Sequence, residues 1–253
     1  MKYVSGYQCT ICQQQYPITY KQLTCEKCGE KGILDIQYDY EAIKSNINKE
    51  AFLSSTEFNI WRYLPFLPVH NKPDNCLTVG GTPLYRAKNI EKDLQINEVY
   101  IKDEGVNPTG SLKDRASIIA CAKALEEKVQ DVACSSTGNA ATSLAGNAAK
   151  LGLKTHIFVP KRVPDGKLAQ LIAYGANVIK VNGDYKAAFN VSKKAIEKFG
   201  FYNRNAAINP CLVEGKKTVV MEIIEQLDFQ TPYYILVSVG YGCTIGSIYN
   251  GFL

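Results

Sequence analysis

From residue 98 onward the chain alternates short β-branched runs with longer stretches at helical spacing. That alternation limits the possible folds more than anything else in the sequence. Strands are expected at 98–102, 131–134, 154–159 and 176–181. Helices are expected at 111–127, 139–150, 164–174, 185–199 and 214–227. Ile118, Ala122 and Leu125 share one face of the first helix, and Ala141, Leu144, Ala148 and Leu151 one face of the second. Phe189, Ser192, Ile196 and Phe199 do so in the fourth. Pro164 suits a first helical turn. The apolar run 233–239 reads as a strand long enough to be central, with a short helix after it. Such alternation, with short connections, gives an α/β fold of parallel sheets covered by helices.

Composition narrows the class. The 253 residues suffice for one large or two small domains, and 46% hydrophobic content excludes a disordered chain. The net charge of +5 comes from scattered residues, so no nucleic-acid-binding stripe is present. No apolar run reaches ~18 residues, which argues against a membrane span. Nine cysteines, without an apolar signal core at the N-terminus, fit a reducing cytoplasm better than a disulfide framework.

Two Cys-x-x-Cys pairs, Cys9/Cys12 and Cys25/Cys28, lie a hairpin's length apart. This spacing places four thiolates around one tetrahedral zinc ion. Gly29 and Gly32 allow the tight turn. Four cysteine ligands leave no open coordination position, so the metal is structural. Helix is expected over 43–52, and the Trp61 segment reads as packing.

Three loops carry candidate chemistry. Asn107-Pro-Thr-Gly-Ser-Leu-Lys113-Asp-Arg115 runs from a strand into a helix, with Ser111 as the expected N-cap and Asp114 complementing the helix dipole. Beside a helix N-terminus and the cation Arg115, Lys113 can lose proton affinity and act as an amine. The plain alternative is a solvated first-turn lysine. Ser136-Thr-Gly-Asn139 is a donor-rich helix entry able to grip a carboxylate, or an ordinary N-cap. Gly240-Tyr-Gly-Cys-Thr244 is a glycine turn before a helix, able to cradle phosphate. It also fits a nucleotide turn, but the full G-x-G-x-x-G is absent.

Taken with Gly80-Gly-Thr-Pro-Leu84 and Glu214-Gly-Lys-Lys-Thr218, these motifs occur in the order found in the threonine synthase family. The chain resembles that family, a group of fold type II pyridoxal-phosphate (PLP) enzymes, from its first cysteine to its last residue. The resemblance implies two parallel-type sheets covered by helices, with a small N-terminal zinc ribbon. The expected domains are the ribbon (1–40), a large PLP domain (41–115 and 211–253) and a small α/β domain (116–210). Family members continue well past residue 253, so the large domain is expected to be incomplete and to lack the polar residue that faces the pyridine nitrogen.

Residue by residue, the resemblance makes Lys113 the Schiff-base lysine and catalytic base. Asn139 would contact the PLP ring hydroxyl, Ser136 and Thr137 the substrate carboxylate, and Gly240, Tyr241, Gly242, Cys243 and Thr244 the cofactor phosphate. At Tyr241 other members often carry a small polar residue. The implied reaction converts O-phosphohomoserine and water to threonine and phosphate. Leu212 stands where many members have an arginine that grips the substrate phosphate. Arg204 and Lys217 are the candidate substitutes, and Leu212→Arg is expected to improve use of that substrate. The alternatives are a cysteate synthase-like enzyme, an amino-acid dehydratase, or a truncated, inactive PLP-binding paralogue. The implied partner is a small amino-acid substrate, with no nucleic acid and no membrane, and a homodimer stays open.

Overall fold

The N-terminal cysteines sit in an antiparallel three-stranded ribbon. In this computed structural model, which describes residues 1–205 and 208–253, β1 (Val4–Cys9) pairs with β2 (Gln15–Pro17) and with β3 (Leu34–Tyr38). Each Cys-x-x-Cys closes its own turn: Gln13 N–H donates to Cys9 O at 3.0 Å and Gly29 N–H to Cys25 O at 2.8 Å. The helical expectation for 43–52 resolves into two short helices, α1 (Tyr40–Asn46) and α2 (Lys49–Ser54), capped by Asp39 and Asn48. The Trp61 segment is a buried 3₁₀ turn, as a packing role requires.

Next come β4 (Leu84–Arg86), α3 (Lys88–Leu94) and β5 (Tyr100–Lys102), with β4 and β5 an antiparallel pair. Glu98 adopts φ +55, outside the extended region, so this strand starts later than expected. α4 (Lys113–Glu126) follows. Leu112, not Ser111, occupies its N-cap position; the Ser111 hydroxyl accepts from Lys113 N–H at 3.3 Å.

The α/β alternation then gives β6 (Asp131–Ser135), α5 (Asn139–Lys150), β7 (Lys154–Pro160), α6 (Asp165–Ala173), β8 (Asn177–Val181), α7 (Tyr185–Phe199) and β9 (Tyr202–Asn203). The four strands form one parallel sheet in the order β8-β7-β6-β9. Period-two alternation divides its side chains between two faces. Val132, Cys134, Ile157 and Val159 pack with α4, α5 and α6, while Ala133 and Phe158 pack with Ile196 of α7. Pro164 holds the N-cap position of α6 and so precedes its first turn. Phe199, expected on the buried face of α7, is exposed, because Gly200 ends the helix there at φ +70.

α8 (Cys211–Gln226) crosses α4 at a close approach. A Cβ on Gly215 would stand 2.2 Å from Arg115 O, so only glycine fits. α9 (Cys243–Asn250) packs on α8 through Val219, Val220 and Ile248.

The expected central strand at 233–239 does not form. Among the described residues no strand lies beside it, and Tyr233 and Leu236 are 99% and 93% exposed. High strand propensity does not make a strand where the ladder has no second side. The second parallel sheet is accordingly not formed by the described residues. None of the described helices is long and apolar enough to cross a membrane.

Candidate active site

Lys113 opens α4 and is held there by the turn before it. Gly110, at φ +81, lets its N–H reach Asn107 O at 2.8 Å. Asn107 ties this turn to two others. Its Oδ1 accepts from Gly80 N–H at 3.0 Å, and its Nδ2 donates to Glu104 O and Oε2 at 3.0 and 2.9 Å. Asp114 accepts from Thr109 N–H and Oγ1 at 3.0 and 2.9 Å and from Asn147 Nδ2 at 2.7 Å. Burial raises the Asp114 carboxyl, and these donors oppose the rise.

The half-buried Lys113 ammonium has its proton affinity lowered, first by burial and then by the cation Arg204. Arg115, the cation expected to do this, points the other way. Residues two apart on a helix are turned about 200° from each other. Arg115 is fully buried in a carboxylate clamp. It meets Glu104 through Nε and Nη2, each at 2.7 Å, and Glu222 through Nη1 at 2.6 Å and Nη2 at 2.8 Å. Glu222 also accepts from Gly81 N–H at 2.9 Å and from Lys102 Nζ at 2.8 Å. Burial pushes the Glu222 carboxyl up, but Arg115 and Lys102 outweigh it and hold it down at about 2. This cluster fixes Gly80-Gly-Thr-Pro beside the lysine turn.

A cavity of about 760 Å³ opens on the opposite side of α4 and α8. Lys113, Ser136, Asn139, Arg204 and all of Gly240 to Thr244 line it. Residues separated by more than a hundred positions in sequence thus meet in one concavity. Asn139 is the first residue of α5, and Ser136 Oγ accepts from Gly138 N–H at 3.2 Å. Gly242, at φ +77, is the N-cap residue of α9 and directs that helix N-terminus at the cavity.

Thr137 is not among the lining residues. Lys217 is not among them either: its ammonium pairs with Glu214 and lies 4.1 Å over the Tyr38 ring. That placement corrects the expectation that Lys217 contacts substrate. Its neighbour Lys216, which sequence reading passed over, lines the cavity instead. A rotation of 100° per residue separates the two, and only packing decides which faces inward. Leu212 lies in the apolar core with Ala116, Ala120 and Cys121 and does not line the cavity, so an arginine there would enter the core.

The cavity suits PLP. A Cβ built on Gly240 or Gly242 meets nothing within 4 Å, leaving room for a phosphate against the backbone. Buried Arg204 Nη2 and Ser135 Oγ have no hydrogen-bond partner among the described residues. The lining contains no Asp or Glu among the described residues, as an anionic ligand requires.

The ribbon suits zinc equally well. Sγ atoms of Cys9, Cys12, Cys25 and Cys28 all lie within 4.8 Å of one another, and Cys12 Sγ is 3.6 Å from Cys25 Sγ. Thiolates about 2.3 Å from a tetrahedral ion stand about 3.8 Å apart. Gly32 closes over the cluster, where a Cβ would meet Cys25 Cβ at 2.6 Å.

A helix-opening lysine facing a glycine cradle across an α/β cavity defines a PLP-dependent enzyme. Residues 76–253 match the family model described as pyridoxal-phosphate dependent enzyme, and the chain belongs to that family. It is 43% identical over 247 residues to the threonine synthase of Methanocaldococcus jannaschii, a match covering 97% of this chain and 60% of that one. It is 38% identical over 246 residues to the threonine synthase of Methanosarcina acetivorans, covering 97% and 59%. The chain therefore spans about three-fifths of the length of these relatives. Among solved structures, the processed form of threonine deaminase isoform 2 from Solanum lycopersicum superposes with a TM-score of 0.62 at 25% identity. That match covers 68% of this chain and 47% of the other.

Proposed function

We propose that this chain carries the PLP-binding site of a threonine synthase-type lyase, which converts O-phosphohomoserine and water to threonine and phosphate. The observation that carries the reading is the convergence of Lys113, Asn139 and the Gly240–Thr244 cradle on one cavity without acidic lining among the described residues. The similarity to named threonine synthases supports the substrate. We assign the ribbon to 1–40, the large PLP domain to 41–115 and 211–253, and the small domain to 116–210.

When bound, the cofactor supplies an electron sink for negative charge at the substrate Cα. Lys113 Nζ anchors it and then moves protons at Cα, Cβ and Cγ, and burial and Arg204 favour its neutral form. The backbone N–H groups at Gly240, Gly242, Cys243 and Thr244 hold the cofactor phosphate, with Tyr241 at the rim. Asn139 donates to the ring hydroxyl, and Ser136 binds the α-carboxylate. Arg204 faces the leaving phosphate as C–O cleavage transfers the bonding electrons to it. A dehydratase acting on a hydroxy amino acid has no phosphate to hold, so the basic lining favours the phosphorylated substrate.

The test is mass mapping after borohydride reduction of the protein mixed with PLP. A pyridoxyl group is expected on Lys113 and is expected to vanish in Lys113→Ala. Label on Lys216, with Lys113 unmodified, would overturn the assignment; Lys102 and Lys217 are ion-paired outside the cavity.

A further inference from the structure

The cavity is lined by four basic side chains, Lys113, Lys186, Arg204 and Lys216, and by no acidic one among the described residues. Lys186 is exposed at the rim. Lys216 and Arg204 are each only 1% exposed. Burying a cation without a counter-ion is unfavourable, and folded proteins pair such groups. Yet among the described residues Lys216 has no carboxylate partner, and the Arg204 side chain donates to Ser117 Oγ at 3.0 Å and leaves Nη2 without a partner. Every other lysine or arginine buried on α4 or α8 has an acid: Arg115 has Glu104 and Glu222, Lys123 has Glu126, and Lys217 has Glu214.

A single phosphate in the glycine cradle is held mainly by backbone N–H groups and a helix N-terminus. It does not account for two further buried cations. We propose that Lys216 and Arg204 form a second phosphate subsite in the cavity, with Lys216 as the specificity-determining cation for a phosphorylated amino-acid substrate. This deepens the proposed function and rests on it. Lys216 lies one helical turn beyond core-packed Leu212, so the cation enters the cavity from further along α8. Burial lowers the Lys216 ammonium to about 8, so it is largely charged at neutral pH, and a dianion beside it would raise it again.

The test titrates inorganic phosphate into the PLP-loaded chain, followed by ³¹P line broadening, so that the cradle is already filled by the cofactor. The wild type is expected to bind phosphate. Lys216→Met should weaken that binding at least ~10-fold, as loss of a charge-assisted contact does. Lys216→Arg should stay within ~3-fold of wild type, and PLP retention should be the same in all three. Wild-type affinity in Lys216→Met overturns the subsite. Loss of PLP from Lys216→Met also overturns it, because Lys216 then serves the cofactor's own phosphate. Failure of the wild type to take PLP on Lys113 would count against the proposed function instead. On the unloaded chain, where the cradle is open as well, the number of phosphates bound then decides the subsite: one fewer in Lys216→Met than in the wild type keeps it, and equal numbers end it. Circular dichroism of each variant confirms that the fold is intact.

Discussion

Two sides of the same helix pair treat charge in opposite ways. On one side of α4 and α8, Arg115, Lys102, Glu104 and Glu222 neutralise each other through short, mostly buried contacts. On the other, Lys113, Arg204 and Lys216 face a cavity with no acid among the described residues. The paired cluster holds the loops in place, and the unpaired one carries a desolvation cost that a bound anion would relieve. Buried charge in the cluster that joins the loops is thus matched within the chain, and buried charge at the cavity has no carboxylate partner among the described residues.

The strongest way to break this comparison is to unbalance the paired side. Arg115→Leu strands Glu222 and Glu104 and is expected to cost about 3–5 kcal/mol, read as a lower urea midpoint. A change near zero would mean that the cluster is not structural. Leu212→Arg puts a new charge into the apolar core and should cost about 3 kcal/mol or more. Improved turnover of O-phosphohomoserine, without loss of thermal stability, would show that position 212 reaches the cavity after all.

The two sides also predict opposite pH responses. Glu222 is held at about 2, below its usual 4.5, so it adds stability above pH 4.5 that is lost as pH falls toward 2. Lys216 is at about 8, below its usual 10.5, so the unfolded chain binds more protons between these values. Its cost is full below pH 8 and is relieved as pH rises to about 10.5, a span worth up to about 3 kcal/mol. Arg204, Lys113 and Cys243 face Lys216, and Lys113 adds to the same alkaline rise. Lys216→Met should remove the Lys216 part of that rise and leave the acid limb unchanged; equal slopes in variant and wild type would contradict the assignment. The smallest effect concerns the ribbon, which should hold about one zinc per chain by elemental analysis. Less than a tenth of an equivalent, in protein never exposed to chelator, would exclude it.

Much of this was legible in the sequence where the signal is local. α5 and α7 have the expected bounds; in α7 Asp184 accepts from Ala187 N–H at 2.9 Å and Gly200 stops the helix in the left-handed region. The clustering of Cys9, Cys12, Cys25 and Cys28 follows from spacing alone. Three readings needed tertiary information. The strand at 233–239 depends on a neighbour that its own residues cannot specify. The cation acting on Lys113 is Arg204, from a distant segment, since Arg115 lies on the wrong helical face. The choice between Lys216 and Lys217 turns on how α8 is rotated against β3. A lysine pair in a helix announces charge but not direction.

That rotation is set by a triangle between ribbon and helix. Tyr38, at the end of β3, donates to Glu214 Oε2 at 2.8 Å, Glu214 pairs with Lys217, and the Lys217 ammonium lies over the Tyr38 ring. Lys216 is two residues along from Glu214 on the same rigid helix. A zinc ion in the ribbon and the proposed phosphate at Lys216 would therefore act on a shared mechanical part, and coupling between two binding equilibria is reciprocal. Any free energy that zinc contributed to seating α8 would be returned when phosphate draws on Lys216. A chelator should strip metal more slowly from the phosphate-bound protein than from the free one.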